Sequence, residues 1–287
     1  MTSKSKTLFG ALFTASLFAS AQAADGDASS ASDSKYLPWE KGSVKVGGFI
    51  STFDSTLTFG RAGSGASFNA EDRLGLESSL TVIRADAMFR PGPTRRHEID
   101  LSYAGYHRDG HATLSEDVNI GGNTYTAGAN VESLFNFDVI RSTYTYAFLQ
   151  EERSRVALGL GVYVIPVKYR LDIDTNSGRS RAEGADTVIP FPVASLRAEF
   201  QIIPRLFFNI SVDGMYLEAG GFAGTVLDGI AAFEYRPWDH VGIGVGYNGM
   251  NMKVVNDTDK KDYPGVDFAG SVKVHYNGLL VYGKYSF

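Results

Sequence analysis

The chain of 287 residues contains no cysteine. That excludes disulfides, thiolate chemistry and a lipid-anchored N-terminal cysteine. Beyond its N-terminal stretch it also lacks any apolar run approaching the ~18 residues of a spanning helix, which excludes helical membrane spans. Basic charge is in deficit: 27 Lys and Arg stand against 32 Asp and Glu, a net charge of −5. No basic stripe exists, so nucleic acid is not an expected partner. Histidine is scarce, with 5 residues. Without cysteine, a metal site would need clustered His and carboxylates, and no such motif stands out, so neither metal nor cofactor is expected. What is abundant is 32 Gly, 19 Phe and 15 Tyr. That composition suits β-strands carrying aromatic girdles.

The N-terminus reads as a secretory signal over residues 1–23. Lys4 and Lys6 form a positive region, Leu8 to Phe18 is an apolar core too short to span a bilayer, and Ala21-Gln22-Ala23 is a small-residue cleavage site. An uncleaved amphipathic helix is the alternative. The expected mature chain begins at Ala24 with 25 basic and 32 acidic residues, net −7. Residues 24–42 are expected to form a flexible periplasmic lead, Ala-, Ser- and Asp-rich at its start. At the other end, Leu279-Leu280-Val281-Tyr282-Gly283-Lys284-Tyr285-Ser286-Phe287 alternates with period two and stops on an aromatic residue. A closed barrel ends that way, because its last strand pairs with its first and leaves no edge.

Between these ends run ten dyad-repeat segments, at about 43–60, 72–90, 96–115, 124–149, 154–174, 186–203, 205–218, 222–236, 239–255 and 265–287. Connections mostly alternate in length. Short ones lie at Pro91-Gly92-Pro93-Thr94, Gln150–Arg153, Ile203-Pro204-Arg205 and Arg236–Asp239, and longer polar ones at 61–71, 112–127, 175–185 and 256–264. Such alternation marks the periplasmic and extracellular ends of an outer-membrane barrel. Many segments run to twice the ~10 residues a tilted membrane strand needs, so a wall should stand above the membrane. A secreted sandwich, with strands of about five or six residues, fits less well. The expected fold is therefore all-β, a transmembrane antiparallel up-and-down barrel of about ten strands over residues 43–287.

Alternation is clear where Leu206, Phe208, Ile210 and Val212 oppose Asn209, Ser211 and Asp213. It flips near Pro166: Val156, Leu158, Leu160, Val162 and Val164 share one face, then Val167, Tyr169, Leu171 and Ile173 take over. A bulge at the proline is the expected cause, and another is expected at Asn277-Gly278, where a hairpin turn is the alternative. Gly242, Gly244 and Gly246 should lie on an inner face, leaving room for sharp coiling or a bulky neighbour. The same G-x-G-x-G run has no following helix, which argues against a phosphate loop. The polar faces supply a lumen charge network: Arg84, Asp86, Glu98, Asp100, Asp138, Arg141, Arg197, Glu199, Asp213, Asp228, Glu234, Arg236 and Lys273, with Lys45, Asp54 and Lys284 as further candidates. Ten strands lie close to the ~8 that side chains nearly fill, so these charges should pair across a mostly plugged lumen.

Together with the Tyr285-Ser286-Phe287 end and the Glu234-Tyr235-Arg236-Pro237-Trp238 turn before a Gly-alternating strand, this architecture resembles the small Gram-negative outer-membrane β-barrel proteins, the broad OmpA/OmpW-like class. The resemblance implies export to the outer membrane, contact with its lipid and lipopolysaccharide, a monomeric state, and recognition of the terminal strand, through Tyr285 and Phe287, by the barrel-assembly machinery. It implies no catalytic residue, and with no sequence beyond the barrel a peptidoglycan-binding role is not expected. The function expected from a mostly charge-paired lumen is that of a structural or narrow passive barrel, or one holding a small ligand. Two alternatives stay open. One is an outer-membrane enzyme, either an omptin-like protease using Asp109-Gly110-His111 with Asp172-Ile173-Asp174 at the extracellular rim, or a lipid hydrolase. The other is surface adhesion through the long loops.

Overall fold

The computed structural model describes residues 39–59, 66–115, 117–120, 123–175, 178–219, 222–256 and 270–287. The expected signal sequence and most of the lead fall outside the described residues. In chain order the elements are β1 (Gly42–Phe59), β2 (Ala66–Asn69), α1 (Ala70–Leu74), β3 (Ser79–Phe89), β4 (His97–Thr113), β5 (Val118–Ile120), β6 (Asn123–Tyr125), β7 (Asn130–Gln150), β8 (Ser154–Thr175), β9 (Gly178–Ile203), β10 (Leu206–Ala219), β11 (Phe222–Tyr235), β12 (Val241–Asn256) and β13 (Gly270–Ser286). Ten long strands pair antiparallel with their neighbours in chain order, and β13 pairs with β1 to close the barrel. The short β2 extends the upper edge of β1, and β5 and β6 form a separate hairpin.

Register fixes the shape. Partners followed once round lead from Gly42 through Phe89, Ile99, Tyr144, Leu160, Ala194, Gly214, Leu227, Asn251 and His275 to Asp54, twelve residues along β1 from the start. Ten strands with that stagger, a rise of about 3.3 Å and a spacing of about 4.8 Å tilt by roughly 40° and enclose a cylinder of radius about 10 Å. The interior is narrow enough for long side chains to meet across it.

On the outer face, exposed apolar residues form a belt: Val44, Val46 and Ile50 on β1, Ile99 and Leu101 on β4, Leu158, Leu160 and Val162 on β8, Ile243 and Val245 on β12, Leu279 and Val281 on β13. From Val156 to Val164 the tilted β8 rises about 20 Å, close to the ~25 Å apolar band of such barrels. Aromatic side chains flank it: Tyr146, Phe148, Tyr235, Trp238, Tyr285 and Phe287 toward the short turns, and Tyr103, Tyr216 and Tyr247 toward the long connections.

Above the belt the polarity of the wall inverts while the pleat continues. On β8 the outer face changes from Leu158 and Leu160 to Lys168, and the inner face becomes Tyr163, Ile165, Leu171 and Ile173, all buried. β13 does the same, with Leu279 outside in the belt, then Lys273 and His275 outside and Val274 and Tyr276 inside. In the membrane the outside must be apolar; in water it must be polar, and the core moves inside. This inversion corrects the bulges expected at Pro166 and Asn277-Gly278. Pairing with β1 runs in one register through Asn277 and Gly278, and the β7–β8 register is the same on both sides of Pro166. Register shifts fall instead between Ala147 and Leu149, between Leu171 and Asp172, and between Leu206 and Phe207.

Three connections differ from expectation. The long loop at 175–185 is mostly strand, because β8 and β9 stay paired up to Thr175 and Gly178. In that register Asp172 and Asp174 fall opposite Arg181 and Arg179. The segment at 72–78 is not strand. The Asn69 side chain accepts the Asp72 N–H at 2.9 Å and starts α1, and Gly75 ends it at φ 65°. The expected loop at 112–127 contains the β5–β6 hairpin.

Candidate functional site: a closed lumen

Four layers of side chains fill the barrel from the end with the short turns upward. The lowest comes from residues just before β1. Trp39 is fully buried; its indole donates to the Glu151 carbonyl at 3.0 Å and meets the Phe207 ring edge-on at 6.4 Å. Arg95 donates to the Trp39 carbonyl. Glu40 contacts Lys284, lies 3.1 Å from Arg236 and 3.9 Å from Arg90. These two residues thus cross the mouth and are gripped from the β3–β4, β7–β8 and β11–β12 turns and from β10 and β13. Burial works against the charge of Glu40, but Lys284, Arg236 and Arg90 outweigh it and hold its carboxyl well below the usual carboxylate range.

Next comes a ring of paired charges. Glu234, with no exposed surface, accepts from Lys284 at 2.9 Å, from Arg236 at 2.8 Å and from the Tyr282 hydroxyl at 3.1 Å, with Lys45 at 3.9 Å. Gly244 makes this possible: a Cβ there would lie 2.2 Å from the Tyr282 ring. Glu98 lies 2.7 Å from both Arg90 and Arg155, and Glu199 engages the same two arginines. One layer higher, Asp213 binds Arg197 at 2.8 Å, Arg141 at 3.1 Å and the Tyr163 hydroxyl at 2.7 Å. Asp228 receives Tyr163 at 3.0 Å and Asn248 at 2.7 Å, and Asp86 joins Arg84 to Arg141. Between these layers a cavity of about 110 Å³ is lined by Ser43, Lys45, Asp86, Asp100, Arg141 and Asn209 among others. Asp100 Oδ2, Asn209 Oδ1 and Ser43 Oγ make no hydrogen bond among the described residues, and a polar space of that size suits water.

The third layer is aromatic. Tyr106 stacks on Phe137 at 4.7 Å and on Tyr276 at 4.9 Å, with Phe49 and Phe53 edge-on at 6.5 and 5.8 Å. Val139, Ile165, Phe191, Val226 and Met250 are buried in the same apolar core. The fourth layer is a plug from the β1–β3 connection. Arg108, fully buried, lies over the Phe53 ring at 4.3 Å and bonds Glu71 at 2.6 Å and Ser55 at 2.9 Å. Ser133 donates to the Leu74 carbonyl at 2.7 Å, and Leu76 bridges to Gly110. A Cβ on Gly110 would sit 2.3 Å from the Gly75 carbonyl, so the plug seats only because residue 110 is glycine.

A closed wall with every long strand paired, an apolar outer belt flanked by aromatic girdles, and paired charges inside at the level of that belt is built to sit in a membrane. The chain is a ten-stranded outer-membrane β-barrel. No family model matches it, and no curated protein does. Among solved structures, the outer-membrane protease OmpT of Escherichia coli superposes with TM-score 0.49 at 9% identity, covering 85% of this chain and 97% of that one. The attachment invasion locus protein Ail of Yersinia pestis gives TM-score 0.35 at 9% identity, with 86% and 99% covered. The Pseudomonas putida toluene transporter TodX gives 0.37 at 6% identity, with 86% and 90% covered.

Of the residues expected in the lumen, Arg84, Asp86, Glu98, Asp100, Arg141, Arg197, Glu199, Asp213, Asp228, Glu234 and Arg236 face inward as described. Asp138 and Lys273 do not. Both stand above the belt, where the polar face is the outer one; Asp138 meets Tyr103 and His107 outside, each at 3.3 Å, and Lys273 is exposed. Asp54 is also outside, bonded to Asn69 at 3.0 Å. Glu40, Arg90 and Arg155 join the network unforeseen. Arg155 was legible, since it shares the inner parity of Tyr163; Glu40 lies in the expected lead, and Arg90 in the turn after β3. The rim candidates Asp109 and His111 are exposed on the outer wall, as is Asp174, with Asp172 partly so. His111, Glu132 and Asp172 share one register row there. Among the described residues no group of three His, Cys, Asp or Glu could hold a metal ion. Tyr285 and Phe287 face outward at the closing seam, where Phe287 and Gly42 exchange backbone bonds of 2.9 and 3.0 Å.

Proposed function

We propose that this barrel is a sealed structural element of the outer membrane. One observation carries the reading: the lumen is crossed in succession by the Trp39–Glu40 strap, the paired charges, the aromatic layer and the α1 plug. A buried carboxylate held by two or three cations does not move aside for a solute without leaving charges unpaired, which costs several kcal/mol. Proteoliposomes test this. Vesicles containing the full-length barrel should not swell in isotonic solutions of small sugars or amino acids; swelling at porin-like rates would refute the seal.

A second reading concerns what the seal supports. β7 and β8 continue well above the belt with an apolar interior and a polar exterior. The projecting wall suits recognition at the cell surface, and charge-reversing substitutions on it should abolish binding of a surface ligand without altering barrel assembly. We assign Tyr285 and Phe287 to engagement by the assembly machinery, because they end the strand that closes the barrel. Deleting Phe287 should lower the assembled fraction in cells.

A further inference from the structure

The cavity between the charged layers is faced by two charges that the lumen leaves unmatched. Every other cation of those layers has a carboxylate within 3.1 Å. Lys45 does not. Its ammonium is 3.9 Å from Glu234, which Lys284, Arg236 and Tyr282 already occupy, and among the described residues it donates no hydrogen bond. Asp100 is the opposite case. Its Oδ2 is buried without a partner, and no cation of the described residues lies at ion-pair distance from it. The hydrogen bond it does make is shared with Glu98, another acid. Two carboxyl groups held together call for a cation.

Both groups line the same space, and so do two further orphan acceptors. Ser43, 1% exposed, carries an unpartnered Oγ. Asn209 hydrogen-bonds Tyr282, whose hydroxyl donates to Glu234; the amide N–H therefore goes to the phenol oxygen, and Oδ1 is the end left free. Ser43, Met88 and Asp100 form one register row across β1, β3 and β4, with Lys45 two residues above Ser43 on the same face. Two strand spacings and two residues of rise put the Lys45 and Asp100 Cα atoms roughly 12 Å apart. Water can fill the space and satisfy hydrogen bonds, but it brings no charge to either group. A molecule carrying both charges does. An ammonium has three N–H groups for the acceptors of Asp100, Asn209 and Ser43, and a carboxylate suits Lys45. The cavity of about 110 Å³ has room for several waters at about 10–15 Å³ each, and so for a solute of about six non-hydrogen atoms.

We infer that this cavity binds a small zwitterion, an α-amino acid of the size of glycine or alanine, with its carboxylate on Lys45 and its ammonium on Asp100, Asn209 and Ser43. The site is blind. Arg141 and Arg197 on Asp213 close it above, under the aromatic layer, so the ligand enters past the Trp39–Glu40 strap and leaves the same way. Binding therefore goes beyond the seal without requiring passage across it. Removing either charged end of the site should weaken binding about tenfold or more.

The test refolds the full-length barrel into detergent micelles in the presence of radiolabelled alanine, so that the strap does not limit entry, and measures binding by equilibrium dialysis. Wild type should bind alanine saturably. Unlabelled glycine should displace it, whereas propionate and ethylamine, which carry one charge each, should not at the same concentration. K45M and D100N, folded by heat-modifiable migration, should each bind about tenfold or more weakly, and K41Q, at an exposed periplasmic position, should bind like wild type. If D100N does not fold, K45M and the competition pattern of the wild type decide. The inference fails if alanine shows no saturable binding, if propionate or ethylamine competes as well as glycine, or if the folded variants bind like wild type.

Discussion

Glu234→Ala is the sharpest perturbation of the seal. Its carboxylate, with no exposed surface, faces Lys284 at 2.9 Å, Arg236 at 2.8 Å and Lys45 at 3.9 Å, and Glu40 is the other carboxylate of the cluster. Two acids therefore serve three cations, and removing Glu234 leaves one. Breaking a buried pair from one side costs about 3–5 kcal/mol, because the stranded charge is desolvated without compensation. That is roughly two to three and a half powers of ten in the unfolding equilibrium. Tyr282 also loses its acceptor, 3.1 Å away. Urea unfolding of the barrel in lipid vesicles, followed by heat-modifiable migration, reads the loss. Adding Lys284→Met should restore part of it, since an apolar side chain of similar size no longer needs the carboxylate. A cost under about 1 kcal/mol for E234A would show that water reaches these groups and that the ring is not sealed.

Tyr106→Ala removes the centre of the aromatic layer and should destabilise the barrel by about 3–5 kcal/mol in the same assay. Acid should release the strap late. The pKa of Glu40 is depressed in the folded state, so its contribution is complete above the ordinary value of 4.5 and is lost only as pH falls through the lower folded value. Trp39 fluorescence in a Trp238→Phe background should stay constant from neutral pH to about 4.5 and red-shift below it; a red shift centred above that would contradict the geometry. Asp138→Ala and Lys273→Ala, on the outer wall, should each change stability by no more than about 0.5 kcal/mol, whereas Asp213→Ala, which strands Arg141 and Arg197, should cost several.

The barrel was legible because dyad alternation, loop length and girdle aromatics are local signals. The phase of each strand was legible only within the membrane. Polar residues mark the lumen where lipid surrounds the wall, as at Glu98 and Glu234. They mark the outside where water does, as at Asp138 and Lys273. A single polarity rule therefore misplaces residues above the belt and reads an unbroken pleat at Pro166 and Asn277 as bulged. Glu40 and α1 escaped for another reason. They occupy connections whose structure depends on contacts with distant strands: Lys284 lies 244 residues from Glu40, and Ser133 lies 59 from Leu74. No periodicity announces such packing.

Single-channel recording reads the seal itself. The full-length barrel inserted in a planar bilayer should show no stable conductance across the accessible voltage range. Deleting the strap alone should not open it, because the aromatic layer and α1 plug remain. Steady porin-like current from the intact chain would contradict the account.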